Sequence, residues 1–170
     1  MIESKKDVSD LIKTRGRVKD FGEVYTPLNL VRDMLSEIPQ KTWCNPNKTF
    51  FEPACGNGNF LIEVVKKKID NGVSPIDAII GTYGVDIIYD NVIECRVRLL
   101  SYVSKHYQID LRGVSKILSK NIKHGNALEF SVEDIFSDSP SERLIAFRQE
   151  NKKEISLEEL QILRKKYLDK

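Results

Sequence analysis

The chain has 170 residues, of which 41% are hydrophobic and 31% are charged, and its formal net charge at pH 7 is +2. These values predict a soluble globular protein with a core of its own, and the small net charge gives no indication of a nucleic-acid partner. No apolar run approaches the roughly 20 residues of a membrane-spanning helix, no signal peptide begins the chain, and the three cysteines form no C-x-x-C pair, so we expect a cytoplasmic protein without membrane or metal.

The first fifty residues predict helices that lead into a short strand. Residues 8–12 carry one amphipathic helical turn within a polar N-terminal segment. Thr26 is expected to cap a helix that has Pro27 as its first residue and that continues to residue 38. A loop and then a strand over residues 49–53 follow.

The central part of the chain alternates helices and strands. The predicted helices cover residues 60–69, 75–80 and 90–104, and the predicted strands cover residues 82–87 and 121–124. No element is predicted between residues 105 and 120. This alternation is typical of a parallel sheet with right-handed crossover connections. After residue 130 only helical spacing of apolar residues remains, over residues 144–168.

A Gly-rich turn, residues 54–59, separates the first strand from its helix. Such a turn lets the backbone approach a ligand closely, and the helix that follows directs free N–H groups toward it. Asp86 at the end of the second strand could accept hydrogen bonds from ribose hydroxyls. It lies further from Gly58 than the roughly 20 residues of a dinucleotide site. Together these features indicate a nucleoside cofactor.

Four motifs, in this order along the chain, resemble those of N6-adenine DNA methyltransferases. Residues 51–61, Phe-Glu-Pro-Ala-Cys-Gly-Asn-Gly-Asn-Phe-Leu, closely resemble the S-adenosylmethionine-binding motif of that family. Residues 22–27 are similar to the Tyr/Phe-Thr-Pro segment that packs against the methionine end of the cofactor. Residues 83–87 resemble the strand with the ribose-binding acid, and residues 125–128 resemble the Gly-Asp/Asn-Ala-Leu that holds the adenine ring.

The resemblance implies a class I methyltransferase domain that binds S-adenosylmethionine over residues 1–130, with a helical extension over residues 131–170. The fold class that we expect is α/β, a truncated Rossmann-like sheet of parallel strands flanked by helices with a helical C-terminal segment. The implied cofactor-binding residues are Tyr25, Thr26, Pro27, Glu52, Pro53, Ala54, Cys55, Gly56, Gly58, Asp86, Ile87, Asn126, Ala127 and Leu128.

Structural roles compete with some of these assignments. Tyr25 could be a core aromatic at the entrance of its helix, and Asp86 could be an ordinary strand-end cap. Asn126 could be a turn residue. Cys55 is explained as a small apolar filler of the motif, because no histidine lies near it in the sequence.

The chain departs from the family at the catalytic signature, Asp/Asn/Ser-Pro-Pro-Tyr/Phe. It has six prolines, no two of which are adjacent, so we assign no catalytic residue. One hypothesis is an adenine-specific DNA methyltransferase, or the cofactor-binding part of one whose catalytic half is a separate chain. The alternative is a catalytically silent protein that binds the cofactor to regulate or assemble. Because the fourth strand of the family is missing, we expect the first strand to be an edge of the sheet that must be covered. Residues 141–168 could cover it within the chain, or a homodimer or a second chain could do so. Whether DNA is a partner stays open.

Overall fold

The computed structural model describes residues 12–136. The expected helices over residues 144–168 lie outside this part of the chain, and most of the expected turn at residues 8–12 does too. The elements, in chain order, are α1 (Arg15–Phe21), α2 (Leu28–Ser36), α3 (Gln40–Trp43), β1 (Phe50–Glu52), α4 (Asn59–Asp70), α5 (Pro75–Ile80), β2 (Thr82–Asp86), α6 (Tyr89–His106), α7 (Leu111–Asn121), β3 (Ile122–His124), a 3-10 turn (Ala127–Glu129) and α8 (Val132–Ile135).

The three strands form one parallel sheet in the order β1-β2-β3. Phe50 lies opposite Thr82, and Gly84 lies opposite Ile122, so β2 is the central strand. Every residue of β2 is buried. The predicted α/β class and the truncated Rossmann-like sheet of parallel strands are confirmed. In this arrangement the C-terminal ends of all three strands lie on the same side of the sheet, which is where α/β proteins bind ligands.

Two apolar clusters hold the helices on this sheet. The larger one combines buried side chains of α4, α5, α6 and α7 with Ile122 of β3. The smaller one joins Val31 and Leu35 of α2 to Trp43 and to Val64 of α4. Its Trp43 ring stacks on Phe50 of β1 with 4.8 Å between the ring centroids. Helix α2 is therefore fixed beside β1 through α4 and Trp43.

The predicted start of α2 is one residue too early. Pro27 has an extended ψ of 142° and is the N-cap, and the helix begins at Leu28. Thr26 makes no capping hydrogen bond; instead the carbonyl oxygen of Pro27 accepts from Val31 N–H. The pyrrolidine ring fixes only φ, which is equally compatible with an extended cap position.

Helix α7 was missed by the sequence prediction. Its N-cap, Asp110, accepts hydrogen bonds from the backbone of Arg112 and Gly113, and Val114, Ile117 and Leu118 are buried on one face. This is the ordinary spacing of an amphipathic helix, with an acidic cap before it. The short helix α3 likewise occupies residues that were predicted as part of a loop.

Strand β1 is one edge of the sheet within residues 12–136. The Phe136 ring, just after α8, approaches this edge from the face that carries Phe51 and Tyr83, at centroid distances of 5.9 and 4.7 Å. Phe51 itself remains 36% exposed. In the described residues no helix is long and apolar enough to span a membrane, and no group of three or more potential metal ligands occurs.

Candidate ligand-binding site

A cavity of about 390 Å³ opens at the C-terminal ends of the strands. Its volume falls in the roughly 300–1,000 Å³ range of small-molecule sites. Four segments line it: residues 21–26 before α2, the β1–α4 connection, residues 86–91 after β2, and the turn after β3. All the predicted site residues line this cavity except Pro27 and Gly58. Those two are the N-caps of α2 and α4.

The Gly-rich connection packs tightly between Tyr25 and α6. Gly56 and Gly58 have positive φ values of +51° and +87°. A Cβ atom on Gly58 would lie 2.6 Å from the Cys95 sulfur, and one on Gly56 would lie 3.3 Å from the Tyr25 ring. Glycine is therefore required by both backbone conformation and close packing. The connection brings the N-terminal end of α4, with its free N–H groups, to the cavity.

The Asp86 carboxylate links the end of β2 to the Gly-rich connection. Its Oδ2 accepts a hydrogen bond from Gly56 N–H at 2.8 Å, and its Oδ1 accepts one from Ile88 N–H at 2.8 Å. The two carboxylate oxygens offer about four acceptor positions, so further donors can still bind. Asp86 is 7% exposed and faces the cavity wall. Asp86 is therefore a strand-end cap whose carboxylate borders the cavity.

The turn after β3 presents backbone and apolar side chains to the cavity. Asn126 accepts from Leu128 N–H at 3.1 Å and donates to Glu129 at 3.1 Å, so its side chain is engaged within its own turn. This supports the turn role of Asn126. Ile87 and Leu128 are 55% and 94% exposed at the rim of the cavity. Exposed apolar side chains beside a concave site are typical of ligand contacts.

The pKa values of two side chains next to or within the Gly-rich connection, Glu52 and Cys55, are raised for different reasons. Burial raises the pKa of the Glu52 carboxyl, while a hydrogen bond from the Ala54 backbone partly opposes this shift. A hydrogen bond with Cys95, together with burial, raises the pKa of the Cys55 thiol far above its usual range. A thiol of this kind is a poor nucleophile, in agreement with the filler role of Cys55.

Sequence reasoning missed a buried polar network on the other side of the cavity. Asn91 is 1% exposed and Glu23 is 8% exposed, and the Asn91 amide donates to Glu23 Oε1 at 2.6 Å. Burial opposes ionisation of Glu23, but hydrogen bonds from Asn91 and Arg17 outweigh it and lower the pKa. Tyr25 donates its hydroxyl to this network, and burial raises its pKa to about 12. Glu23 lies inside one of the four motifs, whereas Asn91 has no sequence signal except its place in the first turn of α6, the helix that follows Asp86.

Comparisons with known proteins place this geometry in context. A family model described as N-6 DNA Methylase matches residues 12–132. The Type II methyltransferase M.VspI of Vibrio sp. (strain 343) is 29% identical over 129 residues, and the match covers 69% of this chain and 29% of that protein. The match thus spans less than a third of the length of the Vibrio protein. No solved structure is significantly similar to the chain.

The packing of Gly58 gives a matched test of the site's architecture. Gly58 and Gly72 have nearly equal φ values, +87° and +86°, but only Gly58 has a neighbour within 4 Å of an added Cβ. Gly72→Ala should cost about 1 kcal/mol of unfolding free energy through left-handed strain alone. Gly58→Ala should cost roughly 1–3 kcal/mol more, because Cys95 must move. Denaturant unfolding measures both values, and equal losses would contradict the packing described here.

Proposed function

The chain belongs to the N-6 DNA methylase family, and we propose that it binds S-adenosylmethionine in the cavity at the ends of its strands. The observation that carries the proposal is the Asp86 carboxylate, fixed by two backbone N–H groups beside the Gly-rich connection. A methyltransferase family implies a cofactor of this type, and each part of the cofactor can be compared with the residues around the cavity.

Asp86 is the proposed acceptor for the ribose. Gly56 occupies one position on Oδ2, whereas Oδ1 accepts from Ile88 and lies 3.4 Å from the Asn91 amide, which leaves an acceptor position on Oδ2 for a ribose hydroxyl. Hydrogen bonds to a charged acceptor are stronger than neutral ones. Because the carboxylate is already fixed by the backbone, little conformational entropy is lost when a ligand binds.

The methionine end of the cofactor fits the Gly-rich connection. The N-terminal end of α4 favours a carboxylate. The Asn57 side-chain oxygen is buried without a hydrogen-bond partner among the described residues, and it could accept from an ammonium group. Glu52 lines the same wall and, when ionised, attracts positive charge. Tyr25 and Thr26 close this end of the cavity.

The adenine ring is assigned to the rim formed by Ile87, Ala127 and Leu128. Ile87 and Leu128 offer exposed apolar surface next to the proposed ribose position. Asn126 contributes through the shape of its turn. The remaining predicted residues, Pro53, Ala54, Cys55 and Gly58, shape the Gly-rich connection, and Pro27 orients α2 beside it.

When bound, the cofactor supplies an activated methyl group, and the family points to the N6 atom of adenine in DNA as the acceptor. Transfer also needs groups that receive the flipped base and orient its amine. We propose that a second chain supplies them, and that this chain or a second copy of this one covers the edge of β1. The three free thiols agree with a reducing compartment, and we assign the protein to the cytoplasm.

Loss of the Asp86 carboxylate tests cofactor binding. Asp86→Ala should weaken S-adenosylmethionine binding by about 1–3 kcal/mol, because hydrogen bonds to a charged group are lost. Asp33→Asn, an exposed change on α2, is the control and should bind like the wild type. Titration calorimetry measures all three proteins. The absence of both heat and thermal stabilisation with wild-type protein at millimolar cofactor would refute the proposal.

Methyl transfer by the polypeptide itself tests whether this chain alone is a complete methyltransferase. The 170-residue chain should incorporate no tritium into DNA from labelled S-adenosylmethionine, because its sequence lacks a Pro-Pro-aromatic segment to receive the base. Unmodified adenine-rich duplex DNA and a known adenine methyltransferase serve as substrate and positive control. Robust incorporation into adenine by this chain alone would show that other residues perform the catalytic role.

A further inference from the structure

We infer that Asn91 is a positioning residue that couples ligand binding at Asp86 to docking of residues 13–25, the N-terminal strap. The inference rests on the proposed function, because it takes Asp86 as the acceptor for the ligand. The strap contains α1 and the segment that follows it, and residues 21–25 form one wall of the cavity.

The Asn91 side chain lies between two carboxylates. Its amide nitrogen donates to Glu23 Oε1 of the strap at 2.6 Å and approaches Asp86 Oδ1 at 3.4 Å. An amide has two N–H groups, so one can serve each carboxylate. At 1% exposure, water has almost no access to replace either bond. Asn91 is thus the direct link between the proposed ribose acceptor and the strap.

The Asn91 oxygen collects donors from the same strap. It accepts from Tyr25 Oη at 2.9 Å, from Lys13 Nζ at 3.0 Å and from Arg17 Nη2 at 3.1 Å. A single buried side chain therefore contacts the strap at four of its residues. If the strap moved away, the buried Asn91 amide would lose these partners together, which is costly for a desolvated polar group.

Few other contacts hold the strap. Helix α1 has no buried residue. The strap's ion pairs, Arg17 with Asp90 through two hydrogen bonds of 2.6 and 2.9 Å and Lys13 with Glu94 at 2.6 Å, involve acids whose side chains are 57% and 37% exposed. Pairs with a partly exposed member are weakened by salt. A segment with so little buried apolar surface belongs to the low-stability part of a fold, so it can open locally.

Because the strap can open and close, its docking can be coupled to ligand binding. A ligand that binds Asp86 lies in the cavity that residues 21–25 of the strap also line, so the strap encloses it when Glu23 and Tyr25 are docked. By thermodynamic linkage, a ligand that stabilises the docked strap must bind more tightly when the strap is docked. The strap should therefore become protected when the cofactor binds, and this protection should depend on Asn91.

Hydrogen exchange of the strap amides, measured with and without S-adenosylmethionine, tests this coupling together with calorimetry. In the wild type, cofactor should slow exchange across residues 13–25. In Asn91→Ala, affinity should fall about tenfold and the strap should gain no protection from cofactor that saturates the site. The control is Asn121→Ala, since Asn121 is equally buried but donates to the backbone of Ile79, Ile80 and Thr82 away from the cavity. Its affinity should stay within about twofold and its protection should remain.

A second pair of variants keeps the test decisive if Asn91→Ala does not fold. Arg17→Gln removes the donor that joins Asn91, Glu23 and Asp90, whereas Arg15→Gln changes an exposed residue of the same helix that makes no ion pair in the described chain. Arg17→Gln should lose ligand-induced protection, and Arg15→Gln should retain it. Equal behaviour of the two members in both pairs would overturn the coupling while leaving cofactor binding intact. Failure of the wild type to bind would instead refute the proposed function and the inference with it.

Discussion

The hydrogen bond from Gly56 N–H to the Asp86 carboxylate is the constraint on which the candidate site depends. It joins the connection after β1 to the end of β2, so it can form only where these strands are parallel neighbours in the observed register. Backbone bonds from Cys55 to Val85 and from Gly125 to Asp86 extend the same link to all three strands. The glycines, the buried central strand and the position of α4 all serve to place these backbone groups around one cavity.

The surroundings of Asp86 divide the site into a rigid and a less stable part. The sheet, α4 and α6 share one buried core, so the Gly-rich connection is fixed by packing. The strap is fixed chiefly by polar contacts to Asn91. Beside the site, β1 ends the sheet, and the exposed apolar residues Leu30 and Met34 of α2 lie on the helix next to it. This arrangement is suited to bind a cofactor at the C-terminal ends of the strands and to receive a further segment beside β1.

Much of the fold and the cavity followed from the sequence, and the failures have physical reasons. The strand, Gly-rich turn and helix around residues 50–70 were predictable because glycine is required where backbone and sulfur approach closely, as at Gly58. Helix α7 was missed, although its N-cap Asp110 and the helical spacing of its apolar residues are both visible in the sequence. Asn91 could not be found, because its role comes from contacts with residues up to 78 positions away. Pro27 was placed inside α2 since its ring restricts φ, but only ψ separates a cap from a first helical residue.

The central claim is that Asp86 and the Gly-rich connection bind S-adenosylmethionine, and an NMR titration of backbone amides tests it most directly. The amides of Gly56 and Ile88, which donate to Asp86, should shift together and saturate as the cofactor is added. The amide of Gly72, at the opposite end of α4, should not move. If Gly56 and Ile88 stay unchanged at saturating cofactor, or if shifts appear only away from the cavity, the account is wrong.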